Sequence, residues 1–179
     1  MTGLPRAVLV LGGARSGKSR HAESLIESAL SGGACDGATY LATAAAGDAE
    51  MAARIAEHRR RRGPAWCTVE APLDLPGALA EHAAPRRPVL VDCLTLWLSN
   101  LMFAGRDVDA ESARLVAALQ DPAGPVVLVS NEVGLGIVPD NALARAFRDH
   151  AGRLNQAVAA CVPRVVFVAA GLTLTLKDE

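Results

Sequence analysis

Aromatic residues and lysines are scarce in this sequence of 179 residues. Phe, Trp and Tyr make up 3% of it, and the only lysines are Lys18 and Lys177, against 16 arginines. The formal net charge is -1, so the strongly basic surface of a general nucleic-acid-binding protein is not expected. Yet 51% of the residues are hydrophobic, which excludes a disordered chain. The length suits one domain, which we expect to span residues 1–179.

Long apolar runs and cysteine pairs are also missing. No run approaches the roughly 18 apolar residues of a membrane-spanning helix, and the N-terminal residues lack the pattern of a signal peptide. The four cysteines show no CxxC spacing, which argues against a zinc site or a disulfide framework: Cys35, Cys67, Cys93 and Cys161. We therefore expect buried free thiols in a cytoplasmic protein.

Short β-type segments alternate with helical ones, the pattern of an α/β fold with a mainly parallel sheet flanked by helices. The predicted strands are residues 7–11, 39–42, 67–70, 88–92, 125–129 and 164–169. The predicted helices are residues 19–30, 48–62, 73–82, 94–103, 110–120 and 141–161. The tail at 172–177 alternates apolar and polar residues, which predicts a short antiparallel edge strand.

A phosphate-binding motif follows the first predicted strand and opens the first predicted helix. The sequence G-x-x-x-x-G-K-S is typical of P-loop NTPases when it stands in this context. Backbone N–H groups of such a loop surround phosphate oxygens, and the helix N-terminus adds positive potential. We expect Lys18 to contact the β- and γ-phosphates and Ser19 to ligate Mg²⁺. The candidate nucleotide-binding residues are Gly12, Gly13, Ala14, Arg15, Ser16, Gly17, Lys18 and Ser19.

A P-loop site also needs a carboxylate near its metal ion, usually at the end of a strand. Asp92 ends the predicted strand at 88–92. We therefore expect Asp92 to be the second protein ligand of Mg²⁺.

One histidine stands beside four consecutive arginines, in residues 51–62. Like charges around His58 would favour its neutral, nucleophilic imidazole, and the arginines would hold a phosphorus centre and its leaving group. Two other interpretations remain open, a solvated helix end and a local nucleic-acid patch. The other histidines are expected to be structural or solvated: His21, His82 and His150.

These segments together closely resemble one family, the bifunctional adenosylcobinamide kinase / adenosylcobinamide-phosphate guanylyltransferases of cobalamin biosynthesis. The resemblance covers nearly the whole chain, in six segments that run in order: GGARSGKSRHAE, YLATA, MAARIAEHRRRR, DCLTLWLSNL, VSNEVGLGIVP and ARAFRDHAGRLNQAVA. The P-loop alone would be unspecific, whereas NEVGLGIVP and FRDHAGRLNQ are distinctive.

The resemblance implies two reactions. A nucleoside triphosphate, ATP or GTP, phosphorylates adenosylcobinamide, and GTP then donates GMP to the resulting phosphate through a GMP–histidine, for which His58 is the matching residue. It further implies nucleotide contacts at Ala42, Thr43, Ala44, Arg59, Arg60, Arg61, Arg62, Glu70 and Asp92. Glu70 would accept from guanine or from ribose, and the sequence leaves both open.

Further expectations concern the substrate and the assembly. Asn131 and Glu132 follow a strand end, where ligands of α/β sheets gather, and they are candidate substrate contacts or parts of a structural loop. The resemblance also implies a homo-oligomer, with a trimer as a candidate state. Two rival interpretations are a P-loop small-molecule kinase or NTPase without a covalent nucleotide, and a nucleotide-dependent interaction module that docks through its arginines.

Overall fold

The structure, a computed structural model, describes residues 4–44 and 63–179. Its strands are β1 (Ala7–Gly12), β2 (Ala38–Ala42), β3 (Trp66–Glu70), β4 (Val89–Asp92), β5 (Val126–Asn131), β6 (Arg164–Ala169) and β7 (Leu172–Asp178). Its helices, within these residues, are α1 (Lys18–Ser31), α2 (Leu75–His82), α3 (Leu94–Phe103), α4 (Val108–Gln120) and α5 (Ala142–Cys161). The predicted helix at 48–62 lies outside the described residues.

The strands form one sheet in the order β3-β2-β4-β5-β1-β6-β7. All neighbouring pairs are parallel except β6 and β7, which are antiparallel. The predicted mainly parallel α/β sheet with an antiparallel C-terminal edge is therefore confirmed. Because parallel strands end at the same edge, the residues that follow β1, β2, β4 and β5 are brought together there.

The central strands are buried on both faces, as their continuous apolar runs predict. Side chains of β1 alternate between two hydrophobic clusters, with Leu9 in one and Val10 in the other. Helix α1 contributes Ile26 to the second cluster, whereas α3, α4 and α5 cover the first, in which Trp97 is completely buried. No helix of the described residues is long and apolar enough to cross a membrane.

Side-chain caps fix where several helices begin. Asp74 accepts from the Gly77 N–H, Asp107 accepts from the Ala110 N–H, and Asn141 accepts from the Ala144 N–H. These caps explain why α2 begins two residues after the predicted start and α4 two residues before it. Strand β5 also extends beyond the predicted end, because Ser130 and Asn131 stay in register with the end of β1.

The expectation of four buried thiols is only partly correct. All four cysteines are free, and Cys35 and Cys93 are buried. Cys161 is partly exposed and Cys67 is exposed, because Cys67 lies on β3, an edge strand of the sheet.

Candidate active site

The glycine motif forms a tight loop between β1 and α1. Arg15 and Gly17 have positive φ values of 56° and 98°, and the φ of Gly17 favours glycine. A side chain at Gly12 would collide with the backbone oxygen of Val168. The sequence thus supplies glycine at two positions where the backbone requires it. We call residues 12–19 the cradle.

Lys18 folds back over the cradle. Its Nζ donates to the carbonyl oxygen of Gly13 at 3.0 Å, and the residue is buried. The ammonium group therefore lies above the loop whose N–H groups would surround a phosphate.

Ser16 presents a second buried polar group in the cradle. Its Oγ has no hydrogen-bond partner among the residues that the structure describes. Its carbonyl oxygen accepts from the Gly171 N–H at 2.8 Å, so the turn between β6 and β7 supports the loop. A buried hydroxyl without a partner costs free energy that a phosphate oxygen would recover.

Asp92 lies at the end of β4, which is separated from β1 by β5. The Tyr40 hydroxyl donates to Asp92 Oδ2 at 3.1 Å. Burial and the charge of Asp92 raise the pKa of the neighbouring Cys93 thiol, while the charge of Lys18 opposes this. The charges of Lys18 and Asp92 thus both influence the pKa of the Cys93 thiol, which indicates that the cradle and the end of β4 are near each other.

Thr43 ties the end of β2 to the turn after β4. Its Oγ1 accepts from the Cys93 N–H and donates to the Cys93 carbonyl, both at 2.8 Å. Its N–H donates to the Asp92 carbonyl, and its own carbonyl accepts from Asn100 Nδ2 at 2.7 Å. Thr43 is completely buried, and its polar groups are paired with the turn after β4 and with Asn100 of α3.

A second polar network follows β5. Asn131 Nδ2 donates to Thr95 Oγ1 at 2.7 Å, and the Glu132 N–H donates to the Gly12 carbonyl at 3.1 Å. Asn155 on α5 donates to the Asn131 carbonyl and accepts from the Ser130 hydroxyl. The structure thus places Asn131 and Glu132 beside the cradle.

The remaining candidates divide between this edge and the undescribed residues. Ala42 and Ala44 flank Thr43, and Ala42 is in register with both Asp92 and Glu70. Glu70 ends β3 and is exposed. Five candidates lie outside the described residues: His58, Arg59, Arg60, Arg61 and Arg62.

Sequence reasoning did not name several polar residues of this edge as site residues: Tyr40, Thr95, Asn100 and Asn155. Asn100 and Asn155 lie inside predicted helices, where an asparagine gives no periodic signal. The one available indication was an asparagine among apolar residues of a helix, because a polar side chain on a buried helix face needs a hydrogen-bond partner.

Oxygen donors at this edge fit a magnesium ion. Mg²⁺ prefers one or two carboxylates together with hydroxyl, water and phosphate oxygens. Ser19 and Asp92 offer one hydroxyl and one carboxylate. The described residues contain no group of three or more His, Cys, Asp or Glu side chains that could hold a metal alone.

These features define a nucleotide-binding protein of the P-loop class: a strand, a glycine loop with a buried lysine, a helix and a carboxylate at the end of a strand. Comparison with known proteins narrows this class. The family model described as cobinamide kinase / cobinamide phosphate guanyltransferase matches residues 8–176. The chain belongs to this family. It is a transferase with kinase and nucleotidyltransferase activities in cobalamin biosynthesis.

Three curated relatives match this chain over nearly their whole length. The bifunctional adenosylcobalamin biosynthesis protein CobP of Pseudomonas aeruginosa is 51% identical over 174 residues, which cover 96% of this chain and 97% of the relative. The bifunctional proteins named CobU from Salmonella typhimurium and Escherichia coli are 43% and 44% identical over 185 residues, covering 95% of this chain and 99% of each relative. The family resemblance inferred from the sequence is therefore confirmed.

Proposed function

We propose that adenosylcobinamide is phosphorylated, and the product then guanylylated, at the carboxyl edge of the sheet. The cradle carries this proposal, because it buries an ammonium group and an unpartnered Ser16 hydroxyl around a loop of backbone donors. On nucleotide binding, Lys18 Nζ exchanges its contact with the Gly13 carbonyl for β- and γ-phosphate oxygens, and Ser16 gains an acceptor.

In the kinase step, the alcohol oxygen of adenosylcobinamide attacks the γ-phosphorus of a nucleoside triphosphate. The new O–P bond forms as the bond to the β,γ-bridging oxygen breaks, and the proton of the alcohol passes to water. A nucleoside diphosphate leaves. Lys18 and the backbone N–H groups of the cradle stabilise the charge that develops on the leaving oxygens.

Magnesium completes the donor set of this proposal. Ser19 and Asp92 would hold the ion, which when bound neutralises charge on the β- and γ-phosphate oxygens. Tyr40 fixes the Asp92 carboxylate through the 3.1 Å hydrogen bond to Oδ2. This hydrogen bond orients the carboxylate that would hold the ion.

In the guanylyl step, a nitrogen of the neutral His58 ring attacks the α-phosphorus of GTP and pyrophosphate leaves. A phosphate oxygen of adenosylcobinamide phosphate then attacks the same phosphorus, releases the imidazole and forms adenosylcobinamide-GDP. The run at 59–62 supplies guanidinium groups for the pyrophosphate. The family resemblance and the local charge pattern support this assignment.

The guanine nucleotide would lie along the ends of β2 and β3. Glu70 is exposed there and can accept from the guanine N1–H and N2–H₂ or from ribose hydroxyls. Ala42 is buried in the core and Ala44 is partly exposed at this edge, so Ala44 is the one of the two that a ring could contact. Because the polar groups of Thr43 hold the β4 turn, its contribution to this site is the shape of the backbone.

The experiment that tests the proposal is intact-protein mass spectrometry after incubation with GTP and Mg²⁺. Wild type should gain the mass of one GMP, in an acid-labile bond, and His58→Ala should gain none. His21→Ala is the matched control and should keep the adduct. An unmodified wild type would favour a P-loop kinase without a covalent nucleotide, and an adduct that persists in His58→Ala would move the nucleophile elsewhere.

Location and assembly complete the proposal. We place the enzyme in the cytoplasm as a homo-oligomer, with a trimer as the candidate state. The family resemblance supports the assembly, and light scattering after size-exclusion chromatography measures it.

A further inference from the structure

Exposed apolar side chains concentrate beside one loop. Eight large hydrophobic residues are exposed in the described part of the chain, and five of them are Phe103, Leu135, Ile137, Val138 and Leu143. Ile137 is 97% exposed, Leu135 84% and Phe103 81%. Side chains of this size rarely cluster in contact with water unless they bind something.

This loop, residues 132–141, is attached to the cradle at its first residue. The Glu132 N–H donates to the Gly12 carbonyl, and Val133 packs against the core. At the other end, Arg145 donates to the carbonyls of Pro139 and Asp140. The loop has no helix or strand of its own, and anchored loops of this kind usually carry function. We call it the β5–α5 loop.

The loop leads into an apolar groove between the end of α3 and the start of α5. The groove has a volume of about 400 Å³ and is lined by Ser99, Met102, Phe103, Asn141, Leu143, Ala144 and Phe147. Ligand sites of proteins have this size and this apolar lining with a few polar groups.

Among the other described segments that border the cradle, β7 also exposes apolar side chains: Leu172, Leu174 and Leu176. The turn after β6 packs against the cradle, where the Gly171 N–H donates to the Ser16 carbonyl. After β4, only Cys93 separates the strand from α3. The β5–α5 loop differs from β7 because it leads into the groove, so an acceptor that reaches the γ-phosphate finds both apolar surface and a cavity there.

We propose that the β5–α5 loop and its groove bind the corrin ring of the acceptor substrate, while the alcohol arm extends to the cradle. A corrin is a large ring with methyl groups on its rim and amide side chains. Its methyl groups match Leu135, Ile137 and the groove, and its amides can pair with polar groups at the rim of the groove, such as Ser99 and Asn141. This inference rests on the proposed function, which requires a cobinamide at the cradle.

The test compares two double variants of the full chain. Leu135→Ser with Ile137→Ser removes most of the apolar surface of the loop, and Leu174→Ser with Leu176→Ser removes another exposed apolar pair, from β7. Equilibrium dialysis measures the Kd for cobinamide and for GTP, and light scattering measures the oligomeric state. We expect the loop variant to bind cobinamide about tenfold more weakly or worse. Its Kd for GTP should stay within about twofold of wild type, and the β7 variant should bind both ligands normally.

Four outcomes overturn the inference. It fails if the loop variant binds cobinamide as tightly as wild type does, or if the β7 variant loses the same affinity. Weaker binding that accompanies dissociation of the oligomer would assign the loop to contacts between copies of the chain. If wild type itself binds no cobinamide, the proposed function fails, and the inference fails with it.

Discussion

The two lysines of the chain both donate to backbone carbonyls, but in different surroundings. Lys177 Nζ donates to the carbonyls of Ala159, Ala160 and Val162, which completes the C-terminal end of α5. Lys18 Nζ donates to Gly13 inside a loop built from backbone donors. In a sequence where arginine replaces almost every lysine, each lysine therefore stands where a compact ammonium group fits among carbonyls.

His21 on α1 gives a pH dependence that can be measured. Partial burial lowers the pKa of its ring below 6.5. The unfolded chain then binds the proton more tightly than the folded chain, so stability is complete above about pH 6.5 and falls as the pH drops below it. His21→Gln should flatten the decline of the unfolding free energy between about pH 7 and pH 5.

Urea denaturation at several pH values checks this expectation. Above about pH 8 the ring is neutral in both the folded and the unfolded state, so the difference in unfolding free energy between wild type and His21→Gln should no longer change with pH. An equally steep decline in both proteins would show that burial of His21 does not control the effect.

Among the elements, the ends of β2 and β4 depend on one side chain. Within residues 4–44 and 63–179, Thr43 is the one acceptor of the Cys93 N–H, whereas the Cys93 carbonyl also accepts from the Trp97 N–H. Removal of the Thr43 hydroxyl therefore leaves one buried donor without a partner. The turn after Asp92 would lose its side-chain tie to β2 and keep the backbone hydrogen bond from the Thr43 N–H to the Asp92 carbonyl.

Thr43→Val should lower the free energy of unfolding by about 1–3 kcal/mol, the cost of the unpaired Cys93 N–H. Thr43→Ser keeps the hydroxyl and loses a methyl group, so it should cost about 0.8 kcal/mol. Urea denaturation of both variants measures the difference. A serine variant less stable than the valine variant would show that packing, and not the hydrogen bond, holds this turn.

The elements were largely predictable and the polar ties between them were not. Continuous apolar runs such as residues 7–11 identify buried strands, because a strand covered on both faces buries every side chain and is therefore apolar throughout. Tyr40, Thr43 and Asn100 act across the sheet at long sequence separation. The periodicity of a single sequence does not indicate which distant carbonyl a side-chain amide will bond to.

For the whole molecule, the sheet order explains why one edge gathers the proposed site. Strands β2, β3 and β4 lie on one side of the central pair β5 and β1, and β6 and β7 lie on the other side. The loops that follow β1 and β5 therefore meet at the carboxyl ends of these two strands. The glycine motif and Asp92 were recognisable because their chemistry is local. The β5–α5 loop was recognisable only as a distinctive segment, since its exposure depends on the packing of α3 and α5.

Product analysis with cobinamide, GTP and Mg²⁺ tests the central claim most directly. Mass spectrometry should show that wild type forms first the phosphate and then the GDP derivative. His58→Ala should accumulate the phosphate and form the GDP derivative about 10³-fold more slowly or not at all, whereas Lys18→Ala should form little of either. The claim would be contradicted if Lys18→Ala formed both products at the wild-type rate, or if His58→Ala still formed the GDP derivative at that rate.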